Sequence, residues 1–163
     1  MKNNFFFIKQ FSNIYKRASK NSEVTSQILY GEKFNILSKK KGWIKIKASF
    51  DNYTGYIKNE KYKMNENQSH KVNVLKANIF SKTNKKTKNF LFFGSKISKI
   101  KENKNFIEFE KNKWLRKKDT KDINHNEKNY VKIFKLFLRT KYVWGGKTYK
   151  GIDCSALLQL FYY

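Results

Sequence analysis

Apolar residues along this chain come in short bursts. None exceeds four residues, as in Phe5–Ile8 and Phe90–Phe93, far short of the roughly 20 that span a bilayer. Trp43-Ile44-Lys45-Ile46 and Phe106-Ile107-Glu108-Phe109 alternate at the two-residue period of a β-strand. The period changes near the C-terminus. Tyr130, Ile133, Phe134, Phe137 and Leu138 recur at helical spacing, with Lys132, Lys135 and Arg139 off the stripe. This predicts a helix packed on a core. Ser155–Tyr163 has the apolar content and length of a second helix start.

The strand-like part repeats itself. Displacing the sequence by 63 residues superposes Gly31 on Gly94, Lys33 on Lys96, Phe34 on Ile97, Leu37 on Ile100, Trp43 on Phe106, Ile44 on Ile107 and Ile46 on Phe109. After a loop five residues shorter in the second copy, Tyr56-Ile57-Lys58 matches Trp114-Leu115-Arg116. Tyr30-Gly31 and Phe93-Gly94 each end an apolar stretch at a glycine, a turn or bulge signal. Gly42 precedes the alternating strand, and Asp51-Asn52 marks the next loop. Residues 82–88 read as an exposed loop, 58–69 as the connection between units, and 117–128 as a polar linker. Two units of short strands fit two small β-barrels better than a solenoid.

Composition adds a strong charge. Lys plus Arg is 37 against 12 Asp plus Glu, a formal net charge of +25. Lys, Asn, Phe, Ile and Tyr, all with A/T-rich codons, make up 92 of the 163 residues. Lys outnumbers Arg 34 to 3, whereas dedicated nucleic-acid readers lean on Arg for bidentate contacts. We therefore assign the charge mainly to genome composition and expect no specific nucleic-acid partner, although charge attracts polyanions whatever its origin. Aromatics at 17% exclude a typical disordered chain. One Cys and two His exclude a disulfide framework and argue against a structural zinc site. Met1–Asn4 and Phe5–Ile8 do not supply the about 7–15 apolar residues and cleavage site of a secretory signal, so a cytoplasmic location is expected, with the cell envelope as the alternative if the true start lies upstream.

The first unit carries Lys16-Arg17-Ala18-Ser19, Tyr30-Gly31-Glu32, Gly42-Trp43-Ile44-Lys45-Ile46 and Thr54-Gly55-Tyr56-Ile57 in order. This set resembles bacterial SH3-like domains. The second unit is more diverged, with Asn105-Phe106 in place of Gly-Trp and Lys113-Trp114-Leu115 in place of Gly-Tyr-Ile. The units are placed at 10–62 and 70–118. Trp43, Tyr56 and Trp114 are either core residues of the barrels or rings lining a ligand groove.

The chemistry sits in Lys141–Leu158. Three of the chain's seven glycines crowd into seven positions here, the mark of a backbone-dictated turn. Asp153 is a good N-cap, which puts Cys154 at the first helical position. The positive end of a helix stabilises a thiolate, and its free backbone amides can bind a developing oxyanion. A single Cys opening an apolar helix after a glycine-rich loop is the arrangement of a papain-like nucleophile. Asp153 could equally serve only as a cap, and Ser155 only as a first-turn residue.

Tyr142-x-Trp144-Gly145-Gly146 followed by Gly151-Ile152-Asp153-Cys154-Ser155 resembles the NlpC-type cell-wall cysteine peptidases, over about residues 129–163. With two SH3-like units ahead of it, joined through a linker at 119–128, the arrangement is similar to gamma-D-glutamyl diamino-acid endopeptidases. The implied fold is mainly β in two small SH3-like barrels, followed by the first helices of an α+β papain-like (NlpC-type) domain. The implied activity is hydrolysis of peptidoglycan stem peptides through a Cys154 acyl-enzyme. The resemblance implies that Tyr142 lies by the nucleophile and helps bind the reacting group. It implies that Asp153 helps hold the peptide's terminal amine and that Ser155 contacts substrate. Ala156 stands where the family usually has Gly. The partners implied are stem peptides or muropeptides, with no cofactor and no metal.

In the family the catalytic His follows the Cys by some tens of residues. Here the sequence stops at Tyr163, and His70 and His125, both ahead of Cys154, read as solvated loop residues. The expectation is a chain truncated after the nucleophile helix and inactive by itself. Its apolar face of Leu157, Leu158, Leu160, Phe161, Tyr162 and Tyr163 should then be exposed or borrow cover from a neighbour. The alternative is a non-catalytic SH3-like module that binds wall peptide or glycan.

Overall fold

A computed structural model describes residues 4–59, 61–82 and 85–162. The first barrel consists of β1 (Phe5–Phe7), β2 (Phe11–Tyr15), β3 (Val24–Leu29), β4 (Lys33–Lys40), β5 (Trp43–Ala48), β6 (Thr54–Lys58) and β7 (Tyr62–Met64). They form one antiparallel sheet in the order β3-β2-β6-β5-β4-β1-β7. Ile44, Ile46 and Ile57 point inward with Phe7, Ile14, Ile28 and Phe34 and are fully buried. The two-residue turn between β4 and β5, Lys41-Gly42, has both residues at positive φ, the geometry that matches strand twist in a tight hairpin.

The second barrel follows with β8 (His70–Val72), β9 (Lys76–Ser81), β10 (Lys85–Phe92), β11 (Lys96–Ile97), β12 (Lys101–Glu102), β13 (Phe106–Glu110) and β14 (Lys113–Arg116). A 3-10 turn at Lys117–Asp119 leads into β15 (Thr120–Asp122). Two sheets result, β10-β9-β14-β13-β12 and β11-β8-β15. The repeat is visible in the backbone. Gly31 and Gly94 sit at φ +79° and +82°. The Gly31 amide donates to the Phe7 carbonyl at 2.7 Å, and the Gly94 amide to the Val72 carbonyl at 3.0 Å.

Several expectations need correction. Phe5–Phe7, considered only as a signal segment, is a strand of the first barrel, so that barrel begins ahead of residue 10. The connecting stretch contains β7, which pairs with β1. The loop expected at 82–88 is shorter: Lys85–Lys88 already belongs to β10, and residues 83 and 84 lie outside the described residues. The expected linker at 119–128 begins with β15, which pairs with β8 and buries only Thr120. In each polar segment the ladder is built from backbone groups, and few side chains reveal it.

Trp114 is a buried side chain of the second barrel. Trp43 and Tyr56 are half-buried on the face opposite the core. Trp43 meets Tyr15 edge to face at 5.5 Å, and the Lys58 ammonium lies 5.3 Å from its ring centre.

Helix α1 (Tyr130–Leu136) starts at an Asn129 cap. Its stripe is narrower than predicted: Ile133 and Phe137 are buried, whereas Tyr130 and Leu138 are exposed. The short strands β16 (Lys147–Thr148) and β17 (Gly151–Ile152) form a hairpin that delivers the chain to α2 (Cys154–Phe161). Leu160 and Ala156 of α2 pack with Ile133, Phe137 and Ile152 onto Leu29, Phe92 and Phe93. The apolar helix face thus finds cover at the glycine turns of the two barrels. Leu158 and Tyr162 stay exposed, and Tyr163 lies outside the described residues.

Candidate active site

The site is built around a short hairpin and the helix it feeds. Cys154 is exposed at the first position of α2. Asp153 is the N-cap in an extended conformation (φ −98°, ψ 171°). One of its oxygens, Oδ1, accepts from the Ala156 amide at 2.7 Å and from Ser155 Oγ at 2.8 Å. The other, Oδ2, accepts from the Gly145 amide at 3.0 Å. One carboxylate therefore closes the helix start and ties it to the glycine turn.

The turn is dictated by space. A Cβ on Gly146 would collide with the Gly151 backbone and the Val143 carbonyl, and one on Gly151 with the Val143 side chain. Tyr142 forms a parallel bridge with Ile152, and the Val143 amide donates to the Ile152 carbonyl at 3.2 Å. This brings Tyr142 alongside the strand that ends at Cys154, with its ring exposed. Tyr142, Asp153, Cys154 and Ser155 are thus gathered on one hairpin and helix start.

The first barrel holds this hairpin from the other side. Trp144 Nε1 donates to Glu23 Oε1 at 3.2 Å. Gly145, at φ +70°, lies against the backbone of β3, where a Cβ would stand 2.8 Å from the Val24 carbonyl oxygen. The Lys147 amide donates to Gln27 Oε1 at 2.8 Å. The Lys147 ammonium and Glu32 Oε1 form a 2.6 Å ion pair with both side chains buried. The Glu23 carboxyl is held below its ordinary range, first by the hydrogen bond and charge of Lys16, with the Trp144 N–H adding to them.

Sequence reasoning did not single out Glu23, Gln27, Glu32 or Lys147 as site residues. They lie 115 to 121 positions from their partners, and no local pattern links them.

The two histidines do not join the site. His70, expected in a solvated loop, is a half-buried residue of β8 with Nδ1 2.9 Å from Ser69 Oγ. Burial, and then the nearby Lys99 charge, lower its pKa. His125 is exposed and shares a cleft with Leu160 and Phe161 at the C-terminal end of α2. Cys154 is at the other end of that helix, roughly 9–10 Å away at 1.5 Å per residue.

A family model described as the bacterial dipeptidyl-peptidase Sh3 domain matches residues 14–61, the heart of the first barrel. The fold is similar to the crystal structure of an NlpC/P60 family protein from Bacillus cereus. The TM-score is 0.79 at 13% identity, over 98% of this chain and 71% of that one. Two structures from Trichomonas vaginalis, NlpC2 and NlpC1, align at TM-scores of 0.37 and 0.36, each 16% identical. They cover 99% of this chain, which spans 66% and 63% of theirs. No curated protein matches the chain. The chain has the fold of an SH3-containing NlpC/P60 protein: SH3-like barrels and the opening helices of the following domain.

Proposed function

We propose that this chain carries the nucleophile half of a cysteine peptidase acting on peptidoglycan stem peptides. The observation that carries the reading is Cys154: exposed, first in its helix, capped by Asp153 and preceded by a turn that admits only glycine at key positions. A thiolate there attacks the gamma-D-glutamyl carbonyl next to the diamino acid. Amides at the helix start are available to the oxyanion. The leaving amine departs, and water hydrolyses the acyl-enzyme. In this reading Tyr142, Asp153 and Ser155 bind substrate. The two barrels, β1–β7 and β8–β15, precede a peptidase segment that starts near 129. The reaction belongs to turnover of wall peptides in the cytoplasm.

Proton transfer to the leaving amine needs a base and acid. His70 meets Ser69, and His125 shares a cleft with the C-terminal end of α2, so the reading gives that role to neither, and residues 1–163 assayed alone are expected to be inactive. The test is hydrolysis of stem peptides by the protein isolated from its source, with Cys154→Ser and Cys154→Ala alongside. Loss of cleavage in both supports the reading, and retained cleavage in both sinks it.

A second reading is favoured by the position of those histidines: a non-catalytic module whose barrels bind wall peptide or glycan. Binding of muropeptides by the chain, with no cleavage by the protein from its source, would select it.

A further inference from the structure

We infer that Glu32 is a positioning residue for Cys154: its buried ion pair with Lys147 fastens the hairpin that ends at the nucleophile to the first barrel. The inference rests on the reading of Cys154 as the nucleophile.

Glu32 follows the Tyr30-Gly31 turn, and that turn fixes its carboxylate. Oε2 accepts from the Leu29 amide at 2.8 Å, which leaves Oε1 aimed at the Lys147 ammonium at 2.6 Å. Both side chains are at most 7% exposed, so solvent screens the attraction little. Lys147 lies in β16 directly opposite Ile152. Ile152 is two residues before Cys154, and Asp153 between them donates its amide to the Gly146 carbonyl at 3.1 Å. A displacement of Lys147 is therefore passed through one strand pair to the cap and the thiol.

The second barrel reaches the same point. The Lys96 amide donates to the Tyr30 carbonyl at 2.9 Å, and a Cβ on Gly31 would strike the Lys96 carbonyl. Burial lowers the Lys96 pKa, Glu32 opposes that shift, and Lys147 and Lys71 add to it. The first barrel, the second barrel and the hairpin before Cys154 thus meet around the Tyr30-Gly31-Glu32 turn.

A purely structural ion pair and a positioning one differ in a double variant. Glu32→Gln takes the negative charge away from beside a buried ammonium, so it lowers the melting temperature on either view. Adding Lys147→Met removes the buried positive charge as well and restores stability. The positioning role predicts that the hairpin remains loose all the same.

The experiment uses the chain with Glu32→Gln, Lys147→Met, their combination, and Glu108→Gln. Glu108 is a buried carboxylate of the second barrel, paired with Lys101 at 3.2 Å. Two quantities are read well below each melting temperature: amide exchange of residues 142–153 and the rate of Cys154 alkylation by iodoacetamide. We expect exchange in 142–153 to quicken at least ~10-fold in Glu32→Gln. In the double variant it should stay fast and alkylation should stay altered, although the melting temperature recovers. Glu108→Gln should change neither. Recovery of hairpin exchange together with melting temperature overturns the inference, as does an equal response to Glu108→Gln. If Glu32→Gln does not fold, Lys147→Met and the double variant carry the same comparison. A hairpin response with no stem-peptide cleavage by the protein from its source would sink the peptidase reading and leave the ion-pair tie standing.

Discussion

At Asp153 three donors converge on one carboxylate: the Ala156 amide, the Ser155 hydroxyl and the Gly145 amide. Removing it therefore costs more than a surface cap. Asp153→Ala is expected to destabilise by about 1–2 kcal/mol, whereas Asp153→Asn, which keeps a capping oxygen, should cost less. Urea denaturation followed by far-UV circular dichroism checks the order. Gly145 is constrained twice over, by φ +70° and by the Val24 carbonyl 2.8 Å from where a Cβ would sit. Gly145→Ala is expected to cost about 1–3 kcal/mol and to raise amide exchange in 142–153, which hydrogen-exchange mass spectrometry reads. Asp153 and its cap were legible in the sequence because capping is local. The three-donor role was not, since Gly145 is reached only through the folded hairpin.

Among the elements, those with a side-chain period were visible and those held by backbone were not. β5 and β13 announced themselves by alternation. β1 is three phenylalanines in a row, with no alternation to mark it as a strand. β7 and β15 are largely polar, and their place is fixed by pairing with β1 and β8. That pairing creates an unusual row. Lys96, Lys71 and Lys121 stand directly opposite one another across β11, β8 and β15. Like charges in such positions repel. Lys121→Glu replaces one repulsion by an attraction between exposed Lys121 of β15 and half-buried Lys71 of β8, so it should stabilise the chain by ~0.2–1 kcal/mol, read as a higher melting temperature that falls back with added salt. The apolar face of α2 was legible as apolar. Its cover was not, because Leu29, Phe92 and Phe93 are distant in sequence and meet only at the glycine turns.

For the whole molecule, the contact between the first barrel and the hairpin before Cys154 should respond to acid. The Glu23 carboxyl is depressed from the ordinary 4.5, chiefly by Lys16 and then with help from Trp144. A depressed folded value means that its contribution is present above the ordinary carboxylate value and is lost as pH falls through the folded one. Trp144 fluorescence should therefore change below pH 4.5, and Glu23→Gln should remove that step. A step of equal size in Glu23→Gln would show that another group is responsible. The repeated barrels were readable from one displaced alignment of the sequence. The joining of barrel and hairpin was not, because ion pairs and amide contacts between segments over a hundred residues apart leave no local pattern.

Under the proposed function, Cys154 attacks a gamma-D-glutamyl carbonyl. The most direct measurement is intact-protein mass spectrometry of the protein isolated from its source, quenched during turnover of a stem peptide. The account predicts an acyl adduct that maps to Cys154 and is absent from Cys154→Ala, which also fails to cleave. Cleavage that continues in Cys154→Ala, or bound peptide that is neither cleaved nor attached, would contradict it.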